Sequence, residues 1–149
     1  MAMTDIQLET LALIRTLGVG LGVALEPDAS GACGLRVDDR LDITLACEER
    51  RAALLVTADV GRLPLERQPA VLRRLLAANL PADGADATWS LVDDTILLWR
   101  RFPLAALDAA VLATELAGFV GIAFAEQASL AAVPGNALPA MPMLGMVAA

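Results

Sequence analysis

Few side chains in this 149-residue chain are suited to catalysis. The chain has no histidine and no tyrosine, and all eleven of its basic residues are arginine. Without histidine it lacks the commonest general base and metal ligand. Without lysine it can form neither a Schiff base nor the lysine contact of a phosphate-binding loop. An enzyme would have to work with Asp, Glu, Ser, Thr, Cys and Arg alone, so we expect a protein that is not an enzyme.

The two cysteines, Cys33 and Cys47, have neither the spacing of a zinc site nor that of a Cys-x-x-Cys redox motif. Each lies at an apolar position of an alternating segment, which is typical of a small buried hydrophobic side chain. We therefore expect two buried, reduced thiols, no metal and no cofactor.

The charged pairs of the sequence coincide with predicted turns and edges. Carboxylate pairs can form metal or acid–base sites, but turns also favour Asp and other polar residues for local hydrogen bonding. Each acidic pair lies at a predicted hairpin turn: Asp38-Asp39, Glu48-Glu49 and Asp93-Asp94. The arginine pairs at 73–74 and 100–101 fit a solvated edge better than a site for an acidic partner.

The composition indicates a binding protein of one domain. Hydrophobic residues make up 57% of the chain and charged residues 19%, which is more apolar side chain than one small core requires, so part of it should face a partner. The net charge of −7 repels phosphate backbones and argues against nucleic acid as a partner. The acidic start has no signal-peptide pattern, and the longest apolar helical stretch, Leu116 to Ala125, is too short to span a membrane. We expect a cytoplasmic protein without a membrane partner.

The first predicted element is a helix from Thr4 to about Leu17 that has apolar residues on two faces. The glycines at positions 18, 20 and 22 are predicted to end it. A terminal helix with two apolar faces is either sandwiched in the core or presents one face to a partner. One face carries Ile6, Leu13, Ile14 and Leu17, and the other carries Leu8, Leu11 and Ala12.

Alternating apolar residues predict five strands. The first three form an antiparallel meander, and the last two form a hairpin with one tryptophan, Trp89 or Trp99, on each arm as a core or interface anchor. The predicted strands are Cys33 to Val37, Leu41 to Cys47, Leu54 to Val60, Ala87 to Leu91 and Thr95 to Phe102.

Two more helices and a tail complete the predicted organisation. Pro64 to Leu80 forms the second helix, with Val71, Leu72, Leu75 and Leu76 on its apolar face. Pro103 is predicted to open a long helix to about Gln127, which is apolar around most of its girth and should be buried on two sides. Residues 1–128 form the single domain, and residues 129–149, rich in Ala, Pro and Met, form a flexible tail.

The order helix, three strands, helix, two strands, long helix resembles the class I chaperones of bacterial type III secretion. These chaperones share a leucine-rich helix, an Asn, a hairpin, and then a leucine and an aspartate that open a helix. The resemblance covers roughly residues 4–128, and the tail departs from it. It is strongest in Leu75–Leu80 (LLAANL), Ala87–Trp99 (ATWSLVDDTILLW), Phe102–Asp108 (FPLAALD) and Glu115–Val120 (ELAGFV).

The resemblance implies an α+β, sandwich-like homodimer without enzymatic activity, which binds the largely unfolded N-terminal segment of a secreted effector. Holding a chain extended requires edge strands and apolar grooves. By this resemblance the second helix and the hairpin form the dimer contact through Leu72, Leu75, Leu76, Trp89 and Leu91. The outer face of the first helix and the free side of the sheet receive effector side chains at Leu8, Leu11, Leu41, Ile43 and Leu45.

Two other functions stay open on the sequence alone. An enzyme or small-molecule binder would need a closed apolar pocket between the sheet and the long helix, with convergent Asp or Arg side chains. A dimeric regulatory module would bind a folded partner. Neither accounts for the second apolar face of the first helix better than an effector chaperone does.

Overall fold

The computed structural model describes residues 2–80, 87–132 and 146–148. Within them the chain forms three α-helices, six strands and three short 3-10 turns. In chain order the helices and strands are α1 (Asp5–Leu21), β1 (Cys33–Val37), β2 (Leu41–Glu48), β3 (Ala53–Arg62), α2 (Gln68–Ala78), β4 (Thr88–Val92), β5 (Thr95–Pro103), α3 (Ala109–Ala131) and β6 (Met146–Ala148).

All six described strands belong to one antiparallel sheet in the order β4-β5-β3-β2-β1-β6. The predicted meander is confirmed, since β1 pairs with β2 and β2 pairs with β3. The turn between β1 and β2 has three residues, 38–40, in which Asp38 and Asp39 have φ angles of 52° and 55°, and Asp tolerates such positive φ angles better than most residues. The predicted hairpin of β4 and β5 is also present, and β5 joins it to the meander by pairing with β3. The fold class is α+β, as predicted.

The core lies between one face of the sheet and the helices α1 and α3. Along the central strands, residues of one parity are buried and residues of the other parity are more exposed. α1 contacts β2, and α3 contacts both β3 and α1, so the two helices cover the same face. The largest fully buried side chains include Leu35, Ile43, Leu45, Leu54, Ile96 and Leu98 from the sheet and Ile14, Leu17, Leu112, Phe119 and Phe124 from the helices.

The helix α1 is capped at both ends but is longer than predicted. At its start, Thr4 Oγ1 accepts a hydrogen bond from Gln7 N (3.2 Å) and Gln7 Oε1 accepts one from Thr4 N (2.9 Å), which is a capping box. At its end only Gly22 adopts the left-handed conformation, with φ 73°. Gly18 and Gly20 therefore lie inside the helix, and the prediction that they end it is wrong.

We expect Gly18→Ala to destabilise the protein, although alanine is normally the better helix residue. A Cβ at Gly18 would lie 2.7 Å from Val23 O and 3.2 Å from Leu25 Cγ, so the segment that returns over the helix must shift, at a cost of about 1–3 kcal/mol. Gly20→Ala is the matched control. Apart from the neighbouring backbone of the helix itself, no atom of the described residues lies within 4 Å of the Cβ position at Gly20, and the higher helix propensity of alanine should add about 0.5–1 kcal/mol of stability. Equal changes in denaturation midpoint for the two variants would contradict this packing.

Both later helices begin after the positions predicted from proline. α2 starts at Gln68, because a separate 3-10 turn precedes it. α3 starts at Ala109, and Pro103 is instead the last residue of β5. The N-cap of α3 is Asp108, whose carboxylate accepts a hydrogen bond from Val111 N (2.8 Å). The capping carboxylate of Asp108 therefore determines where α3 starts. Proline often occupies the first position of a helix, but Pro103 does not do so here.

The helix α3 is a core helix with one exposed side. The stretch Leu116 to Ala125 was judged too short to span a membrane, but the whole helix Ala109–Ala131 is long and apolar enough to do so by length and composition. Val111 and Ile122 are exposed on its outer side, so the single chain buries α3 on one side and not on the predicted two. The side that packs into the core carries Leu112, Leu116, Phe119, Val120, Ala123 and Phe124.

The segment predicted as a tail has described structure at both ends. α3 continues to Ala131, one turn past the expected end. Met146–Ala148 pairs antiparallel with β1 as strand β6, and residues 133–145 lie outside the described part of the chain. The division of the chain after residue 128 stays a prediction.

Candidate functional site

A cavity of about 650 Å³ lies along one flank of α1. This volume is within the range of about 300–1,000 Å³ that is usual for ligand pockets. The cavity is bounded by α1, by the loop 26–31 that leads into β1, and by the end of β2. Both apolar and polar side chains line it, among them Thr10, Leu11 and Ile14 from α1, Pro27 from the loop and Cys47 from β2.

The two effector-binding residues predicted on α1 lie outside the core. Leu8 is 51% exposed, and Leu11 is half-buried and lines the cavity. Leu17 and Ile14 are buried and form the side of the helix that packs on the sheet. The second apolar face of α1 is thus on the surface of the described chain, where a partner can reach it.

Thr10 and Cys47 meet at the wall of the cavity. Thr10 Oγ1 donates a hydrogen bond to Ile6 O (2.8 Å) and lies 3.4 Å from Cys47 Sγ. Cys33 is buried as predicted, but Cys47 is only half-buried, so the prediction is wrong for Cys47. Burial raises the pKa of the Cys33 thiol. Cys47 is therefore the more accessible thiol of the two.

Charged groups of α1 and the loop 26–31 surround the cavity. Arg15 Nη2 lies 3.2 Å from Glu26 Oε2, in an exposed ion pair between helix and loop. Asp28 Oδ1 accepts hydrogen bonds from Ser30 Oγ (2.6 Å) and Ser30 N (2.8 Å), and these bonds lower the pKa of Asp28. They also close an Asx turn, which gives the loop a defined shape beside the cavity.

The structure places the effector residues predicted on β2 in the core. Leu41, Ile43 and Leu45 are each at most 1% exposed. They share a sheet face with Leu35 and Val56, the face that α1 and α3 cover. The prediction that they lie on the free side of the sheet is wrong, because the apolar parity of β2 faces the helices.

The opposite side of the sheet carries an apolar surface that we call the open face, formed by Leu55, Thr57, Leu97 and Trp99. All four residues are half-buried. Trp99 lies opposite Thr57 of the neighbouring strand, and its Nε1 donates a hydrogen bond to Ser90 Oγ (2.7 Å). A partner that lies across the strands would contact these side chains directly.

Sequence analysis did not identify Leu55 and Leu97 as candidate binding residues. A signal was present in β5, where the residues from Ile96 to Trp99 are apolar at both parities. A strand that is apolar at both parities has two faces to cover. One of these faces is covered by the helices, and the other is the open face.

An ion pair borders the open face. Arg101 pairs with Glu48 through two contacts, of which Arg101 Nη2 to Glu48 Oε2 measures 3.1 Å. The guanidinium of Arg101 also lies 5.3 Å from the centre of the Trp99 ring. Hydrogen bonding from Arg101 lowers the pKa of Glu48.

We expect this ion pair to make stability depend on pH in the acid range. A carboxyl whose pKa is depressed by folding contributes stability above its unfolded value of 4.5, and this contribution is lost as the pH falls through the folded value. Glu48→Gln should therefore flatten the fall of stability below about pH 4.5, and Arg101→Gln should do the same. Denaturation curves of the wild type and the variants at a series of pH values measure how the free energy of unfolding depends on pH. Wild-type and Glu48→Gln profiles of the same shape would contradict it.

The residues predicted for the dimer contact differ in burial. Leu75 is 7% exposed and is buried in the core of the single chain, and Leu72 and Trp89 are half-buried against that core. Leu76 is 68% exposed and Leu91 is 42% exposed. Leu80, which sequence analysis did not select, is also exposed. We call the exposed set the α2–β4 patch: Leu76, Leu80 and Leu91.

Groups from other parts of the chain pair with the backbone of β4 and with the backbone of β1. At β4, Asn79 Nδ2 donates to Trp89 O (2.9 Å) and Trp89 N donates to Asn79 Oδ1 (2.7 Å), so a side-chain amide pairs with the strand. At β1, the strand β6 pairs with residues Leu35–Val37. Exposed sheet edges tend to pair with other chains, and these contacts reduce that exposure.

The space between the sheet and α3 is occupied by core side chains such as Leu116, Phe119 and Val120. The cavity described above lies instead beside α1, away from the position that a small-molecule binder or enzyme was expected to need. Within residues 2–80, 87–132 and 146–148, no three His, Cys, Asp or Glu side chains are grouped to hold a metal ion.

Comparison with known proteins gives a family and several similar folds. The model of the Tir chaperone protein (CesT) family matches residues 12–126, whereas no curated protein matches significantly by sequence. A chain of the HopA1–SchA chaperone–effector complex has a TM-score of 0.73 and 22% identity, and the match covers 85% of this chain and 98% of that one.

Two further solved structures have the same fold. One contains the Yersinia pestis type III secretion chaperone SycH with a stable fragment of YscM2 (TM-score 0.66, 22% identity, 78% of this chain and 98% of that one). The other is the ExoT–SpcS complex from Pseudomonas aeruginosa (TM-score 0.60, 20% identity, 82% and 98%).

Proposed function

The chain belongs to the Tir chaperone protein (CesT) family, and from this we propose that it is a bacterial, cytoplasmic type III secretion chaperone. It binds the unfolded N-terminal segment of a secreted effector and keeps that segment soluble and competent for secretion, without enzymatic activity. The resemblance to class I type III secretion chaperones is confirmed by the family match. Two of the similar structures hold a chaperone with an effector or a protein fragment, which supports a partner of the same kind.

The observation that carries the proposal is the second apolar face of α1. Leu8 is exposed and Leu11 lines a cavity large enough for side chains of another chain. Burying one leucine is worth about 1.5–3 kcal/mol, so a partner that covers this face gains affinity from each of them. An extended segment can fill the cavity without having a fold of its own.

The effector segment uses more than one surface in this proposal. Ordering an unfolded segment costs about 2–5 kcal/mol or more, so several contacts must share the binding. The open face offers a second apolar surface, with Trp99 as the largest side chain. We therefore propose Leu8, Leu11, Leu55, Leu97 and Trp99 as effector-binding residues, in place of Leu41, Ile43 and Leu45.

The chaperone is a homodimer in this proposal, and the α2–β4 patch is its contact surface. Leu76 and Leu91 supply exposed apolar area, and Leu72 and Trp89 lie beside them, half-buried. Leu75 supports the patch from the core. Each leucine buried between protomers contributes about 1.5–3 kcal/mol, so a few per protomer suffice for a stable pair.

The test of the function is effector capture by a Leu11→Asp variant. The tagged chaperone is purified from its native host, the copurifying effector is identified, and its N-terminal segment is titrated against the purified proteins by fluorescence anisotropy. A carboxylate in the cavity should weaken binding at least about tenfold, since it removes the burial of a leucine and desolvates a charge. Val19→Asp is the matched control, because Val19 is 82% exposed and does not line the cavity.

Cys47 provides a second readout that requires no substitution. Its thiol lines the cavity, whereas Cys33 is buried, so bound effector should slow the alkylation of Cys47 by iodoacetamide. The Leu11→Asp variant must keep a native circular dichroism spectrum for its result to count. Wild-type affinity in that variant, or unchanged Cys47 alkylation in the complex, would show that the effector binds elsewhere.

A further inference from the structure

The last strand of the sheet comes from the chain's own C-terminal segment. β6 pairs antiparallel with β1, with Met146 opposite Val37 and Ala148 opposite Leu35. A sheet edge is where an extended partner segment adds as a further strand. β6 therefore takes up, in the free chain, the backbone positions that a partner strand on β1 would need.

The group that pairs with β4 is held firmly by a buried helix, whereas the group that pairs with β1 is only a short strand. At β4 the closing group is Asn79, which follows α2 directly, and Val71 and Leu75 bury that helix in the core. At β1 the closing group is a strand of 3 residues, at the lower limit of about 3–10 residues for strands in globular proteins. A longer strand can form more ladder bonds than β6 does, so β1 is the edge that can exchange its occupant.

The direction of β6 leads toward the cavity beside α1. β6 runs from the Val37 end of β1 toward the first residue of that strand, Cys33. The loop 26–31, which comes just before β1, is one wall of the cavity. A partner strand that runs in the same direction along β1 therefore brings its following residues to the cavity, where Leu11 and Cys47 lie. The edge and the cavity form one path for an extended chain.

We propose that β6 is a displaceable occupant of the β1 edge, which covers the edge in the free chaperone and is replaced by an antiparallel strand of an extended, apolar partner segment. The inference rests on the proposed function, because it concerns the same partner. Its covalent link to α3 holds β6 near the edge at an effective concentration on the order of millimolar. The strand therefore excludes from the β1 edge those segments that bind weakly.

Val147→Pro in the full chain tests whether β6 occupies the edge. Val147 is the central residue of β6, opposite Arg36, and proline lacks the N–H that a strand ladder uses. The β1 amides that face β6 should exchange with solvent at least about fivefold faster in this variant, while the amides of β3 keep their wild-type rates and show that the fold is intact. Val147→Ala keeps the N–H and is the matched control. Unchanged exchange of the β1 amides in Val147→Pro would overturn the proposal.

Displacement is tested with a labelled synthetic peptide of residues 141–149 (MPMLGMVAA). Once its own strand is detached, Val147→Pro should bind this peptide at least about tenfold more tightly than the wild-type chain, whose edge is already filled. Equal affinities would overturn the proposal. Neither measurement uses the effector, so their failure counts against the role of β6, whereas failed effector capture counts against the proposed function.

Discussion

Replacing Leu75 with aspartate is expected to unfold the chain, whereas the same change at Leu76 is expected to leave it folded. Leu75 is buried in the core beneath α2, and its neighbour Leu76 is exposed. An unpaired charge in a core costs about 3–5 kcal/mol, and a domain is stable by only about 5–15 kcal/mol in total. A carboxylate at Leu76 stays in water and carries no such cost. The two variants therefore distinguish a core position from a position in the α2–β4 patch, although the two residues are neighbours in α2.

Circular dichroism and sedimentation velocity measure the two effects. The Leu76→Asp variant should keep the native spectrum and sediment as a monomer, because it places a charge in the proposed dimer contact. A native, cooperatively unfolding Leu75→Asp variant would contradict the core position of that residue. A Leu76→Asp variant that still forms the wild-type dimer would contradict the proposed contact.

The second large effect is expected for Phe124→Ala, which should lower the free energy of unfolding by about 3–5 kcal/mol. Phe124 is buried on α3, and the guanidinium of Arg40 lies 3.9 Å from the centre of its ring. Close by, Gln127 Nε2 donates a hydrogen bond to Arg40 O (2.9 Å). These contacts join the end of α3 to the hairpin between β1 and β2, so removing the ring leaves a cavity at that joint.

Arg40→Ala is the control for this prediction. It removes the cation–π contact, worth about 0.5–2 kcal/mol, and leaves the Phe124 ring in the core. Urea denaturation of both variants gives the comparison. A loss of stability in Phe124→Ala no larger than in Arg40→Ala would mean that the ring does not fill the core as described.

The strands could be predicted because their signals are local. The segment from Leu41 to Cys47 alternates without interruption, and Asp38 and Asp39 tolerate the positive φ angles of the turn before it. Which side of the sheet stays free is decided by helices that come from distant parts of the chain. The leucines and the isoleucine of β2 were therefore assigned to the wrong side, and Trp99 marks the side that is open.

The ends of the helices were harder to predict, since they depend on contacts that sequence patterns do not show. Gly18 was interpreted as the end of a helix, but it lies inside α1, where the absence of a side chain allows the backbone of Val23 to pack closely against the helix. Pro103 was interpreted as a start, but the strand β5 continues through it and Asp108 caps the helix.

The candidate site was predictable only in part. Leu8 and Leu11 follow from the period of α1 alone, because helical spacing places them away from Ile14 and Leu17. The cavity exists because the loop 26–31 packs back beside α1. A contact between a loop and a helix leaves no periodic pattern of apolar residues, so it could not be predicted from the sequence. β6 has only 3 residues in a segment rich in Ala, Pro and Met, and its pairing is set by β1, more than a hundred residues earlier in the chain.

The contact between α1 and α3 has a consequence for the synthesis of the protein. α1 and the meander leave the ribosome first, and the stretch between Arg62, at the end of the meander, and Ala109, at the start of α3, takes about 2–9 s to translate at about 5–20 residues per second. Throughout that interval α1 can pack on the meander, but α3 does not yet exist to cover its other buried flank. The nascent chain therefore exposes apolar surface for seconds, and we expect general chaperones of the cell to bind it while it is being made.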